Sequence, residues 1–337
     1  MSLWLTLLET AIHSPSPHNV QPWRVRIRNN HEADLLIDSS RTLPKEDPTA
    51  SFIILTMGMF IEALSLLAAN QQHQLSYELF HEPEWYAAAI LAARERVLLP
   101  FASLRLSDAE EPDNPGADPS LFIKRRTSRI SFLPQPVPEE ITAALQNLAA
   151  ERGQRYEQIT DPAIIERVLD QGTQALFEDL NSVDYHDEIT SWFRFTDRAS
   201  LRHRDGLDYR CMNTSRSTYW MTARFPGLML MPGVRTLLAR KYRKQLGPIP
   251  TIGLLAGEFW RPSSAFKTGR FLMRFWLETA QHNLYIHPYG NLVTNKKAAR
   301  WMLEATKIPD IWLVFKIGYS AEPPQSYRLT VKEILID

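Results

Sequence analysis

The residues best suited to chemistry lie in a short loop near the start of the chain, which reads S-P-S-P-H-N-V-Q-P-W from Ser14 to Trp23. Two side-chain amides, Asn19 and Gln21, are separated by one residue, and the prolines fix the backbone around them. Because an amide offers both a donor and an acceptor, this pair suits the polar edge of a planar ring. The hydroxyls of Ser14 and Ser16 add further hydrogen-bonding groups. The alternative is an ordinary turn that feeds an edge strand, with Trp23 as a core aromatic residue.

A second candidate segment is the basic run R-R-T-S-R from Arg125 to Arg129. A guanidinium group pairs bidentately with phosphate, and the Ser128 hydroxyl is a further donor. The run, including Arg126, therefore suits a phosphate group. A solvated run of surface charges is the alternative, and it is the more frequent explanation for a basic pentapeptide alone.

Together the two segments resemble those of the FMN-dependent nitroreductases. The loop is similar to that family's S-P-S-x-x-N-x-Q-P-W loop, and the basic run is similar to the R-R-S-x-R element that holds the FMN phosphate. The run also precedes Phe132 and P-Q-P-V-P-E-E, as in tandem members of the family. The resemblance implies FMN as cofactor, and it implies these binding residues: Ser14, Ser16, Asn19, Gln21, Arg125, Arg126, Ser128 and Arg129.

A third segment, H-N-L-Y-I-H-P-Y-G from His282 to Gly290, resembles the family's loop along the redox edge of the flavin. It adds three expected cofactor-binding residues, His287, Pro288 and Gly290. Tyr289 stands where the family usually has an acidic residue. Nearer the end, I-G-Y followed by Arg328 resembles the family's G-Y-P strand and its phosphate-binding basic residue.

The motifs are divided between the two parts of the chain. In homodimeric members of the family, the arginine element comes from one subunit and the S-P-S-x-x-N-x-Q-P-W loop from the other. Here the first half has the loop without an arginine element before it, and the second half has the arginine element without such a loop. The resemblance therefore predicts one FMN site per chain, in a monomer that acts as a pseudo-dimer.

Periodicity predicts the elements that position these residues. We expect a first helix within residues 1–14, a hairpin at 23–37, a core helix at 52–70 and a second hairpin at 75–80 and 84–91. Further helices are expected at 138–152, 162–181, 268–283 and 295–306, with strands at 251–259 and 311–319. With the resemblance, this predicts an α+β, nitroreductase-like fold. It has two related halves, each with a central antiparallel sheet packed by helices, and forms an intrachain pseudo-dimer.

Composition suggests where the halves divide. Residues 107–120 are acidic, rich in proline and almost without apolar side chains, so they predict a linker between a first half at 1–106 and a second at 121–337. A basic, lid-like insertion is expected at about 185–245. Within it, residues 192–244 hold ten Arg and two Lys against three Asp. This stretch is either a partly mobile flap over an anionic ligand or a solvated arginine-rich surface.

Composition also narrows the classes of partner. Lys+Arg and Asp+Glu both number 38, so the whole molecule offers no net field to nucleic acid or to a membrane, and we expect neither as a partner. The expected partner is a small-molecule substrate. The sequence has no G-x-G-x-x-G or P-loop motif, and its one cysteine, Cys211, cannot form an internal disulfide.

Two further features bear on location and on metals. The first 14 residues carry no Lys or Arg and space their leucines as an amphipathic helix does, which indicates a cytoplasmic protein rather than a signal peptide. His282 and His287 are five residues apart and would not share a helix face, so no metal site is predicted.

The leading functional hypothesis is an FMN-dependent oxidoreductase that takes electrons from transiently bound NAD(P)H. It would reduce a flat acceptor, a nitroaromatic or a quinone-like compound, by two electrons. No catalytic side chain is predicted, because the flavin carries the chemistry. The main alternative is a flavin-sequestering protein whose lid blocks turnover. A third reading is a basic interaction module that binds an anionic partner through residues 192–244.

Overall fold

The computed structural model describes residues 2–225, 227 and 231–337. Residues 226 and 228–230 of the expected insertion therefore lie outside the described part, as does Met1 of the expected first helix. The first half contains α1 (Leu3–Ala11), β1 (Trp23–Ile27), β2 (Glu32–Asp38), α2 (Ser51–Ala69), β3 (His73–Leu79), α3 (Pro83–Ala92) and β4 (Leu98–Asp108). Single turns of 3-10 helix occur at Pro17–Asn19 and Ser39–Arg41.

The first sheet is antiparallel and has the order β1-β2-β4-β3. Strands β1 and β2 form a hairpin, which confirms the prediction made from the alternation of apolar and basic residues. The second predicted hairpin is wrong, because residues 84–91 lie within α3 and the partner of β3 is β4. Pro83 at the first helical position and the run Ala87 to Ala89 favour a helix here.

The second half and its insertion continue with α4 (Pro119–Lys124), α5 (Glu139–Ala150), β5 (Arg155–Ile159), α6 (Pro162–Asn181), α7 (Val183–Ser191), β6 (Phe193–Arg194), α8 (Asp197–His203), β7 (Leu207–Asp208), α9 (Arg216–Arg224) and α10 (Pro232–Leu246). The chain ends with β8 (Ile252–Ala256), α11 (Pro262–Gln281), β9 (Tyr285–Pro288), α12 (Asn291–Thr294), α13 (Lys296–Thr306), β10 (Ile311–Gly318) and α14 (Val331–Ile334). The second sheet, β5-β8-β10-β9, is also antiparallel. The predicted α+β class, with two antiparallel sheets packed by helices, is confirmed.

Helix α11 begins six residues earlier than predicted, at Pro262 rather than at residue 268. A proline fits the first helical position because its missing N–H would have no intrahelical partner there. The predicted start, Thr268-Gly269-Arg270, lies inside the helix, where Thr268 and Gly269 are buried.

Helices α2 and α11 cross at two glycines, one from each half. A Cβ atom at Gly58 would stand 2.2 Å from the carbonyl oxygen of Phe266, and one at Gly269 would stand 2.0 Å from that of Leu55. No other residue type leaves room for this backbone approach. Phe60 and Phe275 belong to one hydrophobic core that both halves share.

A buried carboxylate lies beside the crossing. Glu62 on α2 has no exposed surface, and its side chain accepts from Arg270 at 2.6 Å and from Arg274. A buried charge is tolerated when it is paired and hydrogen-bonded, so the two arginines fix α11 against α2. Helix α2 is long and apolar enough to cross a bilayer, yet 94% of its most apolar window is buried inside the molecule. It is a core helix, as the sequence predicts.

Candidate functional site

A cavity of about 580 Å³ lies where the two halves and the insertion meet. Helix α2 contributes Phe52, Leu55 and Met59 to its wall, and α11 contributes Leu272 and Trp276. The loop before β1, the start of the second half, the end of β9 and the C-terminal segment complete the wall. Nine of the twelve residues expected to bind a cofactor line it: Ser16, Asn19, Arg125, Arg126, Arg129, His287, Pro288, Gly290 and Arg328.

The loop before β1 is held in an unusual backbone conformation. His18, Asn19 and Gln21 have φ angles of 46°, 56° and 52°, in the left-handed region that non-glycine residues seldom adopt. The Ser16 hydroxyl accepts from the backbone N–H of Gln21 at 3.0 Å and so stabilises the turn. Asn19 donates from Nδ2 to the carbonyl of Tyr327 at 3.0 Å, while its buried Oδ1 has no hydrogen-bond partner within residues 2–225, 227 and 231–337.

Three expected binding residues lie outside the cavity wall. Gln21 is fully buried, its Nε2 donates to the carbonyl of Arg204 at 2.9 Å, and its Oε1 accepts from the N–H of Leu329 at 2.8 Å. Gln21 therefore ties the loop to the insertion and to the C-terminal segment. Ser128 contacts Ser320 through their hydroxyls at 2.9 Å, and Ser14, at the start of the loop, is fully buried.

The arginines converge on the cavity with few neutralising partners. Arg125 is only 4% exposed, donates to the carbonyl of His13 at 3.1 Å, and lies 4.6 Å from the ring centre of Trp276. Arg328 donates to the carbonyl of Tyr327 at 3.1 Å. The Nε atoms of both arginines are buried and have no hydrogen-bond partner in the part of the chain that the structure describes.

Charge around these arginines is positive. Burial, with Arg328 and Arg126 nearby, lowers the pKa of Arg125 to about 9, and burial lowers the pKa of Arg328 to about 10. Arg126 pairs with Glu322 at 2.7 Å, whereas Arg125 and Arg328 form no ion pair with any described carboxylate. Because burying an uncompensated charge is costly, this cluster is a strong candidate for binding an anion. A phosphate would supply the missing acceptors.

Arg129 lies at a second position on the wall, near the end of β9. It donates to the carbonyl of Cys211 at 3.3 Å, and no carboxylate within the described ranges pairs with it. Burial, with Arg129 and Lys316 nearby, lowers the pKa of His287 well below 6.5, so its imidazole is neutral. The Nδ1 of His287 and the hydroxyl of Tyr289 are both buried, and neither has a hydrogen-bond partner among the described residues.

Carboxylates occupy a different part of the wall, and sequence reasoning missed them. Glu46 lies 2.6 Å from Nε2 of His18, and burial raises the pKa of Asp179 to about 6. Trp276 was missed as well. No motif marks these residues, although the helical spacing of Leu272 and Trp276 would place both on one face of a long helix.

The segment expected as an insertion, residues 185–245, forms one side of the cavity, with wall residues such as Tyr219 and Tyr242. It is fixed to both halves. Gly206 donates from its N–H to the carbonyl of Asn19 at 3.2 Å, and Asn213 donates from Nδ2 to that of Arg129 at 3.2 Å. Asp205 of the insertion pairs with Arg41 of the first half at 3.0 Å.

No family model matches the chain. Two curated proteins from Mycobacterium tuberculosis strains CDC 1551 / Oshkosh and H37Rv, provisionally named NAD(P)H nitroreductases, are 24% identical over 187 residues. The match covers 56% of this chain and 50% of each relative, so the chain spans about half the length of the curated relatives it matches.

Two solved structures are also similar. The FMN-dependent nitroreductase of Mycobacterium smegmatis, in complex with NADPH, is 19% identical and has a TM-score of 0.37, with 60% of this chain and 86% of that one covered. The FMN and NADPH-dependent nitroreductase of a Sphingopyxis strain is 16% identical and has a TM-score of 0.39, with 65% and 96% covered. The resemblance found in the sequence motifs is thereby confirmed by the curated relatives: over rather more than half of its length, this chain is similar to the NAD(P)H nitroreductases.

Proposed function

We propose that the chain binds one FMN in the cavity and uses it for the NAD(P)H-dependent, two-electron reduction of a flat acceptor, a nitroaromatic or a quinone-like compound. The observation that carries the proposal is the convergence of Arg125, Arg129 and Arg328 on one cavity, where no carboxylate of the described residues pairs with them. The names of the curated relatives support the choice of reductant.

The residues of the wall fit FMN. Its phosphate needs charged donors, which the Nε atoms of Arg125 and Arg328 offer. Its ring carries carbonyl and N–H groups along one edge, which suit the unpartnered Oδ1 of Asn19 and hydroxyl of Tyr289. A volume of about 580 Å³ lies within the usual range for ligand pockets, about 300–1,000 Å³.

The chain's own residues would bind and orient the cofactor. We assign Arg125, Arg126 and Arg328 to the phosphate, and Asn19, His287 and Tyr289 to the polar groups of the ring and its side chain. Bound flavin supplies the hydride chemistry. The neutral His287 imidazole leaves the cationic role on that side of the wall to Arg129. The insertion excludes bulk water from the side that it covers.

The test is a visible absorption spectrum of the purified protein after loading with FMN and desalting. We expect retained flavin, followed by steady NADPH oxidation when a quinone is added. Absence of retained flavin after loading would overturn the proposal. Location in the cytoplasm, where NAD(P)H is available, belongs to the same proposal.

A flavin-sequestering role is the second candidate, and the fixed position of the insertion favours it. Asp205 is buried between Arg41 at 3.0 Å and Arg194 at 2.6 Å, so the insertion is anchored beside the cavity. The two roles differ in turnover. If the insertion blocks the acceptor, loaded wild-type protein will not oxidise NADPH steadily, and Asp205→Asn, which loosens the anchor, will raise the rate. Brisk wild-type turnover that Asp205→Asn leaves unchanged would exclude sequestration.

A further inference from the structure

The neutral chain contains a long segment with no acidic residue. Between Asp208 and Glu258 the sequence has eight Arg or Lys and no Asp or Glu. The overall balance of charge hides this local excess. The described residues Arg216–Phe225 and Met231–Leu246 include helices α9 and α10, which cover the cavity.

Helix α9 has two distinct faces. Thr218, Tyr219 and Thr222 line the cavity. Arg216 and Arg224 lie one turn before and one turn after Trp220, on a face directed to solvent, and Trp220 is 49% exposed. Arg216 pairs with Asp197, whereas Arg224 pairs with no carboxylate in the described part of the chain.

Helix α10 repeats this arrangement. Leu238, Tyr242 and Gln245 line the cavity. Leu237, which is 67% exposed, lies on another face with two exposed cations, Arg240 and Lys244, three and seven residues later. Neither of these cations pairs with a carboxylate among residues 2–225, 227 and 231–337.

Exposed apolar side chains lie on both helices and at their ends. The rings of Trp220 and Phe225 are 5.6 Å apart, and Met231 is exposed at the start of α10. These large side chains are exposed rather than packed in a core, and cations of the same segment lie among them. We call the solvent-directed residues of the two helices and their ends the outer basic face: Arg216, Trp220, Arg224, Phe225, Met231, Leu237, Arg240 and Lys244.

We propose that the outer basic face binds an anionic lipid surface, with the protein lying on the bilayer rather than crossing it. Basic residues interspersed with Trp, Phe and Leu are typical of interfacial helices, whose apolar side chains enter the headgroup region while cations attract acidic lipids. The exposed side chains of Trp220 and Leu237 suit insertion into the headgroup region, and an acidic protein partner is an outcome that the experiment separates from a lipid surface. The proposal differs from the expectation of no membrane partner. That expectation rested on the net charge of the whole chain, whereas the outer basic face depends on the local distribution of charge.

The experiment is co-sedimentation of the full-length protein with two kinds of vesicle, phosphatidylcholine alone and equal parts of phosphatidylcholine and phosphatidylglycerol. We expect binding to the anionic vesicles only, weakening as salt is added. The triple variant Arg224→Glu, Arg240→Glu, Lys244→Glu should bind on the order of a hundredfold more weakly, from the usual contribution of each basic residue near such a surface. Trp220→Ala should also weaken binding.

Matched controls change the same types of residue elsewhere. Arg94→Glu, Arg152→Glu, Lys332→Glu reverses three exposed charges, and Trp85→Ala removes a tryptophan that is 44% exposed. Both control proteins should bind as the wild type does. If the charge control loses as much vesicle binding as the triple variant does, only net charge matters and the outer basic face is not the binding site. Equal binding to neutral vesicles, or binding to neither kind of vesicle, would also overturn the proposal. Self-association that the triple variant abolishes, without vesicle binding, would assign the face to a protein partner instead.

Discussion

At the scale of single residues, the buried cations of the cavity oppose folding. Arg125 is almost fully buried, and burial together with neighbouring Arg328 lowers its pKa to about 9. A buried charge without a counter-charge raises the free energy of the folded state, and a bound phosphate removes that cost. Arg125 should therefore lower the free energy of unfolding and raise the affinity for FMN.

Arg125→Met tests this opposition of stability and binding. Methionine keeps an apolar contact with Trp276 and removes the charge, so we expect an unfolding midpoint no lower than that of the wild type. FMN binding should weaken by roughly 1.5–3 kcal/mol, the usual value of a charged hydrogen bond. Riboflavin, which lacks the phosphate, should bind both proteins alike. A variant that loses riboflavin as much as FMN would place Arg125 away from the phosphate; Arg152→Met, at an exposed site, is the control.

His13 makes stability depend on pH. Burial, with Arg328 and Arg125 nearby, lowers its pKa from 6.5 to about 4 in the folded protein. Between these values the unfolded chain takes up a proton that the folded chain does not, so the free energy of unfolding falls as pH falls through the window. Urea unfolding at pH about 7 and about 5 should show a smaller loss for His13→Asn than for the wild type. His31→Asn, at an exposed turn, should lose as much as the wild type; equal losses in all three proteins would count against the role of His13.

Residue types and spacing identified nine of the residues that line the cavity, because the loop and the basic run occur together with the spacing of the family's motifs. They could not separate wall residues from the residues that support the wall. Gln21 and Asn19 are two residues apart, yet the side-chain amide of Gln21 is already hydrogen-bonded to Arg204 and Leu329, both distant in sequence. Only folding brings those partners to the loop. Sequence spacing carries no information about them.

At the scale of elements, the crossing of α2 and α11 holds the two halves together. Gly58→Ala would place a Cβ atom 2.2 Å from the Phe266 carbonyl oxygen, so one backbone must move. We expect a loss of about 1–3 kcal/mol in the free energy of unfolding, the usual cost of overpacking, and a similar loss for Gly269→Ala. Urea unfolding measures both.

Gly172→Ala is the matched helical control for the crossing. A Cβ at Gly172 of α6 meets Leu292 at 3.7 Å, an ordinary contact, and alanine favours the helix over glycine. This variant should therefore be as stable as the wild type or more stable. Destabilisation of all three variants by the same amount would show that the close approach at the crossing has no special role.

Elements with strong periodicity were predicted well, and the failures have physical causes. The long apolar run of α2 fits only a buried helix, and the alternation of apolar and basic residues in β1 fits only a half-buried strand. Residues 84–91 form a short segment bounded by charged residues, and such a segment fits a helix or a strand equally well. The pairing of β3 with β4, which excludes the hairpin, involves residues farther along the chain. The sequence showed the basic composition of the expected insertion but not that each of its helices α9 and α10 has two distinct faces. The inner side chains of these helices line a cavity rather than a core.

At the scale of the whole molecule, the division of the cavity wall between the halves determines the expected stoichiometry. Asn19 comes from the first half and Arg125, Arg129 and Arg328 from the second, yet all line one cavity. A dimeric flavoprotein loses its interfacial site when it dissociates on dilution, because each subunit holds only part of the wall. Here the chain itself joins the parts, and α2 and α11 keep them together.

We therefore expect one FMN per chain, at a mass near the 38.9 kDa of the monomer. The affinity for FMN should not change with protein concentration, since no subunit association is needed to complete the wall. Light scattering coupled to size exclusion gives the mass, and absorbance of the released flavin gives the ratio. Two flavins per chain, or affinity that falls as the protein is diluted, would show that the wall is completed between chains. Arg328→Met should keep the monomer mass and lower only the flavin content, which separates a damaged site from an altered assembly.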